Sequence, residues 1–83
     1  MGKLYYSIRE VSSIVDEEQH ILRYWEKEFK IIKPKKINNR RFYDSKQIEI
    51  IKTIKFLLKS KGMTISGVKN LLHSNINKLD DDD

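Results

Sequence analysis

Several residue types are scarce in this 83-residue chain, and each scarcity excludes a kind of site. Cysteine is absent, so the chain can form no disulfide, no thiolate metal site and no thiol nucleophile. Glycine occurs three times and proline once, and no glycine-rich loop could cradle a phosphate. No apolar run approaches the roughly 20 residues of a membrane-spanning helix, and the first residues lack the apolar stretch of a signal peptide. We therefore predict a cytoplasmic protein with no membrane partner.

Charged residues are abundant and make up 35% of the chain, against 39% hydrophobic residues. The formal net charge is +5, and the four aspartates at positions 80–83 contribute −4, so residues 1–79 carry +9. A small body this basic favours polyanions, with nucleic acid first and an anionic membrane surface second. The length suits one small domain. We expect that domain over residues 1–74, followed by a flexible acidic tail over residues 75–83.

The segment over residues 20–29 predicts a helix with two chemically different sides. At about 100° per residue, one side is apolar and must be buried, and it carries Ile21, Leu22, Trp25 and Phe29. The opposite side combines cations with an amphipathic aromatic, which suits phosphates and base edges, and it carries His20, Arg23, Tyr24 and Lys27. Glu26 has no second carboxylate close by in the sequence, so we expect it to pair within the protein and not to act as a catalytic acid.

A second basic segment follows this helix. Five cations and no acid lie in it, namely Lys33, Lys35, Lys36, Arg40 and Arg41. Pro34 blocks a helix and fits an edge strand, and Asn38–Asn39 is a turn candidate because Asn tolerates positive φ. We predict a small hairpin with a cationic tip, in which Ile31–Ile32 and Phe42–Tyr43 have strand character.

Capping signals predict the first two helices. Ser7 and Glu10 have capping-box spacing before a short first helix. Asp16 and Gln19 have the same spacing before the second helix, whose cap could also lie one or two residues after Asp16 and which should end near Phe29 or Lys30. Two short helices so close together must cross at a steep angle, which is the geometry of a helix-turn-helix.

Two further helices follow the hairpin. Asp44 or Ser45 would cap the third helix, Gly62 would occupy the stop position after its last turn, and Thr64 would open a fourth. The predicted fold class is therefore mostly α with a small β-hairpin, a winged helix-turn-helix of about four helices plus a wing.

The order of these segments resembles the N-terminal domain of MerR-type transcriptional regulators from about Tyr6 to Leu72. The resemblance rests on Ser7-Ile8-Arg9-Glu10-Val11, Leu22-Arg23-Tyr24-Trp25-Glu26, the Pro34 wing with Arg41 and Tyr43, and Gly62-Met63-Thr64-Ile65. In that family the Arg–Tyr pair of the second helix meets DNA, which implies this role for Arg23 and Tyr24. It also implies that Arg41 touches phosphate and that Tyr43 helps to fix the wing. The expected DNA-binding residues are His20, Arg23, Tyr24, Lys27, Lys35, Lys36, Arg40, Arg41 and Tyr43.

Two features depart from the family pattern. Asn39–Arg40 stands where the family usually has Gly-Tyr before the wing arginine, which adds a cation. The family also dimerises through a long C-terminal helix, and the residues after Leu72 supply no comparable apolar stripe. We expect either a shortened chain or a compact DNA-binding module, with a homodimer forming on DNA or through a segment missing from this chain. Contact with RNA polymerase is a further expectation from the resemblance.

The leading functional interpretation is a bacterial-type regulator of transcription that binds double-stranded DNA with a sequence preference and is nucleoid-associated. One alternative is an architectural, excisionase-like or chromosome-organising DNA-binding module, and a lesser one is a protein-interaction module. We expect no enzyme and no cofactor, because no nucleophile has a plausible base and no carboxylates are paired. The two histidines lack metal-ligand spacing, so no metal site is expected.

Overall fold

The computed structural model describes the backbone of residues 3–81 and the side chains of residues 3–73. The chain is mostly helical with a small three-stranded antiparallel sheet, which confirms the predicted winged helix-turn-helix class. Within residues 3–81, no helix has both the length and the apolar character needed to cross a membrane. The elements in chain order are β1 (Tyr6–Ser7), α1 (Ile8–Val15), α2 (Gln19–Glu28), β2 (Lys35–Ile37), β3 (Arg40–Tyr43), α3 (Ser45–Lys55), a π-helical turn (Phe56–Ser60) and α4 (Ile65–Asp81).

The chain divides after Thr53 into two compact units. The first unit contains the sheet, α1, α2 and the beginning of α3. Its buried apolar side chains are Val11, Val15, Leu22, Trp25, Phe29, Ile32, Tyr43, Ile48 and Ile51. The second unit contains the end of α3, the π-helical turn and α4, and in it Ile54 and Val68 are fully buried.

Helix α1 begins with the capping box that the sequence predicted. The Glu10 N–H donates to Ser7 Oγ over 3.2 Å, and the Ser7 N–H donates to Glu10 Oε1 over 2.9 Å. The second predicted capping box is wrong, because Asp16 ends α1 in the left-handed conformation with φ 58°. Helix α2 begins at Gln19 without a side-chain cap. Aspartate visits the left-handed region more readily than most residues, so here it serves the turn between two helices.

The wing consists of β2 and β3, joined by the Asn38–Asn39 turn that the sequence predicted. Both asparagines have positive φ, 51° and 66°, as a tight two-residue hairpin turn requires. The predicted strand character of Ile31–Ile32 is wrong, because β2 begins only after Pro34. The chain turns there instead, with the Ile32 N–H donating to the Phe29 carbonyl oxygen over 3.0 Å. The Ile32 side chain is 4% exposed, so burial and not strand pairing determines this segment.

A third strand, β1, was not predicted. It pairs antiparallel with β3, with Tyr6 opposite Tyr43 and Ser7 opposite Phe42, which makes β3 the central strand. A strand of two residues is too short to show a period in sequence. The pairing holds the N-terminal turn of α1 beside the wing.

Helix α3 follows the wing and is capped as predicted, since Asp44 Oδ1 accepts a hydrogen bond from the Gln47 N–H over 2.9 Å. The helix then passes into the π-helical turn, which was not predicted and in which the Lys61 N–H donates to the Phe56 carbonyl oxygen over 3.0 Å. Gly62 follows with φ 67°, which confirms its predicted stop position.

Helix α4 begins at Ile65, directly after Thr64 as predicted, and Thr64 Oγ1 accepts a hydrogen bond from the Gly67 N–H over 3.0 Å. The backbone is helical as far as Asp81, past the expected domain boundary at residue 74. The flexible acidic tail over residues 75–83 stays a prediction, and Asp82 and Asp83 lie outside the described residues.

Candidate nucleic-acid interface

The polar side of α2 is exposed, as its sequence pattern predicted. Tyr24 is 47% exposed, whereas Trp25 is 3% exposed and belongs to the core. The burial of Trp25 and its apolar neighbours anchors the helix, so its outer side chains project from a fixed backbone. The exposed residues on this side are His20, Arg23, Tyr24 and Lys27.

An ion pair connects α2 to the wing. Arg41 Nε donates to Glu26 Oε1 over 2.6 Å, and the two side chains are 31% and 15% exposed. This contact confirms the predicted internal pairing of Glu26. Arg41 was expected to touch phosphate, but a carboxylate of its own protein already engages its Nε. The ion pair joins β3 to α2.

Tyr43 lies in the core and is 1% exposed. Its grouping with the DNA-binding residues is corrected, because a ring buried to this degree cannot reach a ligand at the surface. Its hydroxyl forms no hydrogen bond with the described part of the chain. Burial and then the negative charge of Glu26 raise the pKa of Tyr43 to about 12, while Arg41 and Arg23 act in the opposite direction. The buried ring holds β3 against the core, which agrees with the wing-fixing role that the resemblance implied.

The remaining wing cations, Lys35, Lys36 and Arg40, are exposed. The Lys35 ammonium lies 5.5 Å from the centroid of the Tyr5 ring, a cation–π contact that was not predicted. Lys36 stands directly opposite Arg41 in the β2–β3 register. Like charges directly opposite each other destabilise an antiparallel pair, and the carboxylate of Glu26, which is paired with Arg41, offsets this repulsion.

An open groove of about 450 Å³ lies among α1, α2 and the wing. Its lining, which we call the arginine groove, comprises Ser7, Ile8 and Arg9 from the start of α1, Gln19 and Arg23 from α2, and wing residues 39–42. Of the predicted DNA-binding residues, the groove brings together Arg23, Arg40 and Arg41. His20, Tyr24 and Lys27 lie outside it on α2, and Lys35 and Lys36 lie outside it on β2.

Arg9 and Gln19 are groove residues that the sequence analysis did not select. No feature of the sequence pointed to Gln19 as a site residue apart from its position at the start of α2. A weak feature pointed to Arg9, because it is the only cation of α1 and lies two residues after the Ser7 cap. Neither residue is near the wing in the sequence, so periodicity could not associate them with it. Within the described residues, no group of three or more histidine, cysteine, aspartate or glutamate side chains could hold a metal ion.

A comparison with known protein families gives a match over the region that contains this site. A family model described as MerR HTH family regulatory protein matches residues 6–75. No curated protein and no solved structure matches the chain. The matched region includes the whole arginine groove, the exposed side of α2 and the wing.

Proposed function

We propose that this chain, which belongs to the MerR family of helix-turn-helix regulatory proteins, binds double-stranded DNA with α2 in the major groove and the wing along the phosphate backbone. The family is one of non-enzymatic DNA-binding proteins, and membership in it indicates DNA binding and transcription regulation. In the proposed arrangement Arg23 and Tyr24 contact bases or phosphates beside them. His20 and Lys27 add contacts on the same side of α2.

The observation that carries this proposal is the Glu26–Arg41 ion pair. It joins the exposed helix to the wing through a contact of 2.6 Å, so the cations of both elements belong to one surface. Duplex DNA offers two matching features side by side, a major groove about 12 Å wide that admits a helix and the phosphate backbone that borders it. A helix and a wing held together can address both features at once.

Charge supports the same proposal. Residues 1–79 carry +9, which attracts a polyanion before any specific contact forms. On the wing, Lys35, Lys36 and Arg40 are exposed and suited to phosphate. Arg41 contributes by positioning β3, since its Nε is paired with Glu26.

The proposal also covers where the protein acts and how many copies bind DNA. We propose a cytoplasmic, nucleoid-associated protein whose DNA-binding domain covers residues 1–74. Two copies would occupy half-sites separated by whole helical turns of DNA, which brings them to one face of the duplex. Contact with RNA polymerase at a promoter is proposed from the family resemblance.

The variant Arg23→Ala tests the proposed role of α2. The DNA duplex for this test is first selected from a pool of random sequences with the wild-type protein. The affinity of each protein for that duplex is then measured by electrophoretic mobility. We expect binding to weaken by about 1–3 kcal/mol. Thermal stability should stay within about 0.5 kcal/mol, because Arg23 is exposed and remote from any helix cap. Lys46→Ala is the matched control, since it removes one exposed cation from the first turn of α3, outside both α2 and the arginine groove.

The outcomes separate the candidate functions. Unchanged affinity in a folded Arg23→Ala protein would contradict the assignment of α2. One promoter-centred palindrome in footprints supports regulation, whereas clustered or helically phased sites favour an architectural module. Binding that responds little to salt would favour a protein-interaction module instead.

A further inference from the structure

The arginines of this protein are segregated from its lysines. The chain contains four arginines, and all four line the arginine groove. None of the lysines that the structure describes lines it. Arginine differs from lysine in its planar guanidinium, which can hold a phosphate or carboxylate with two parallel hydrogen bonds. This distribution indicates a site for an oxyanion and not merely a basic surface.

The charge of the arginine groove is largely uncompensated. Arg41 is paired with Glu26, but Arg9, Arg23 and Arg40 form no ion pair among residues 3–73. No acidic side chain of the described residues lines the groove. Three cations therefore border one open cavity.

Arg9 is held in place by the turn that carries it. The capping box closes around it, with the Glu10 N–H bonded to Ser7 Oγ and the Ser7 N–H bonded to Glu10 Oε1. The β1–β3 pairing sets Ser7 opposite Phe42, next to Arg40 and Arg41 in β3. The backbone at Arg9 is thus tied to the wing. The Arg9 side chain is exposed and forms no hydrogen bond or ion pair within residues 3–73.

We propose that the arginine groove binds one backbone phosphate of duplex DNA, with Arg9 of α1 and Arg40 of the wing on either side of it and Arg23 at its α2 edge. This inference rests on the proposed DNA binding and adds a contact from α1, which neither the exposed side of α2 nor the wing supplies. The proposed ligand is a phosphodiester of the DNA backbone. The groove is open to solvent, and Arg23 in its lining belongs to α2, the helix that we propose enters the major groove. A phosphate contact of this kind adds affinity for every sequence and shifts no base preference.

The experiment compares wild type, Arg9→Ala, Arg9→Lys and Lys46→Ala on two duplexes, one selected and one of random sequence, over a series of salt concentrations. Arg9→Ala should flatten the slope of log affinity against log salt by up to about 0.9, the value for one whole phosphate contact. The corresponding loss is at most roughly eightfold at 0.1 M salt, and it should be equal for both duplexes. Arg9→Lys should keep the wild-type slope because it keeps the charge. Alanine is the best helix former, so Arg9→Ala should fold as wild type does.

A scan with methylphosphonates, which neutralise single phosphates, locates the contact. Neutralising the phosphate that the groove holds should weaken wild type, and it should weaken Arg9→Ala and Arg40→Ala by less, because each variant has already lost part of its contact with that phosphate. An Arg9→Ala slope equal to that of wild type would overturn the inference, and so would a reduced effect at different phosphates in Arg9→Ala and in Arg40→Ala. If either result is found but Arg23→Ala still binds DNA more weakly than wild type, the further inference fails and the proposed function stands. A wild-type protein that binds neither duplex would overturn both.

Discussion

Replacing Glu26 by glutamine separates the two ways in which charge can affect DNA binding here. The substitution keeps the size of the side chain and removes its negative charge, so the net charge rises by one from +5. Electrostatic attraction alone then predicts tighter binding to a polyanion. If the ion pair with Arg41 positions the wing, binding should weaken instead. The two effects have opposite signs, so the direction of the change distinguishes them.

The structure determines how large the effect on stability should be. The contact of 2.6 Å is a charge-assisted hydrogen bond, and the two side chains are 31% and 15% exposed. The pair thus lies between surface pairs, worth about 0.2–1 kcal/mol, and buried pairs, whose disruption costs about 3–5 kcal/mol. Glutamine can still accept a hydrogen bond from Arg41. We therefore expect Glu26→Gln to lower the free energy of unfolding by about 1–2 kcal/mol, which corresponds to about 4–16 °C in Tm.

Urea unfolding and fluorescence anisotropy with a selected duplex measure the two consequences. We expect affinity to fall about fivefold, or about 1 kcal/mol. Glu49→Gln is the matched control, because Glu49 is an exposed residue whose carboxylate lies 3.5 Å from Lys52 within α3. It makes the same change in charge, and its stability should stay within about 0.5 kcal/mol of wild type. If Glu26→Gln binds DNA as tightly as Glu49→Gln, the proposed positioning of the wing by this pair is refuted.

Three further predictions address the core, the wing and assembly. Tyr43→Phe should leave stability unchanged or raise it by about 1 kcal/mol, since it removes a buried hydroxyl that has no hydrogen-bond partner among the residues the structure describes; a loss above about 2 kcal/mol in urea unfolding would contradict this. The pKa of Tyr43 is raised from 10.0 to about 12. The stability that depends on a neutral Tyr43 is therefore fully present below about pH 10, and at most about 2–3 kcal/mol of it is lost as the pH rises towards about 12. Comparing the free energies of unfolding of wild type and Tyr43→Phe over that pH range measures this loss. Arg40→Ala should flatten the salt dependence of DNA binding by up to about 0.9 at unchanged stability, whereas Arg41→Ala should lower stability; a reversal of these two results would contradict the assigned roles. The 83-residue chain should sediment as a monomer at micromolar concentration, and a stable dimer without DNA would have to use a surface other than Val68, which is fully buried.

The sequence predicted the features whose stabilising contacts lie within a few residues. The capping box at Ser7 and Glu10, the Asn38–Asn39 turn and the stop at Gly62 each depend on the chemistry of one or two side chains. The division of α2 into a buried and an exposed side followed from its helical period. The sequence indicated that Glu26 pairs within the protein, but the helical pattern around Glu26 could not identify Arg41 as its partner.

The errors arose where a local pattern had two interpretations. Asp16 has the spacing of a capping residue, yet its tolerance of positive φ made it the end of α1. Ile31–Ile32 has strand propensity, yet the burial of Ile32 in the core outweighed it. Tyr43 was correctly placed on the wing, but its burial and the orphan hydroxyl could not be seen without its surroundings.

The amphipathic helices, the basic hairpin and the residue types that each exposes all follow from the order of residues in the chain. How these surfaces combine depends on contacts between distant segments. The tertiary structure paired Tyr6 with Tyr43 across β1 and β3, joined Glu26 to Arg41, and brought Arg9 to the same groove as Arg40. These contacts join residues far apart in the chain, so no local period or cap encodes them. They form because burying the apolar sides of α1, α2 and β3 in one core leaves their polar sides adjacent at its edge.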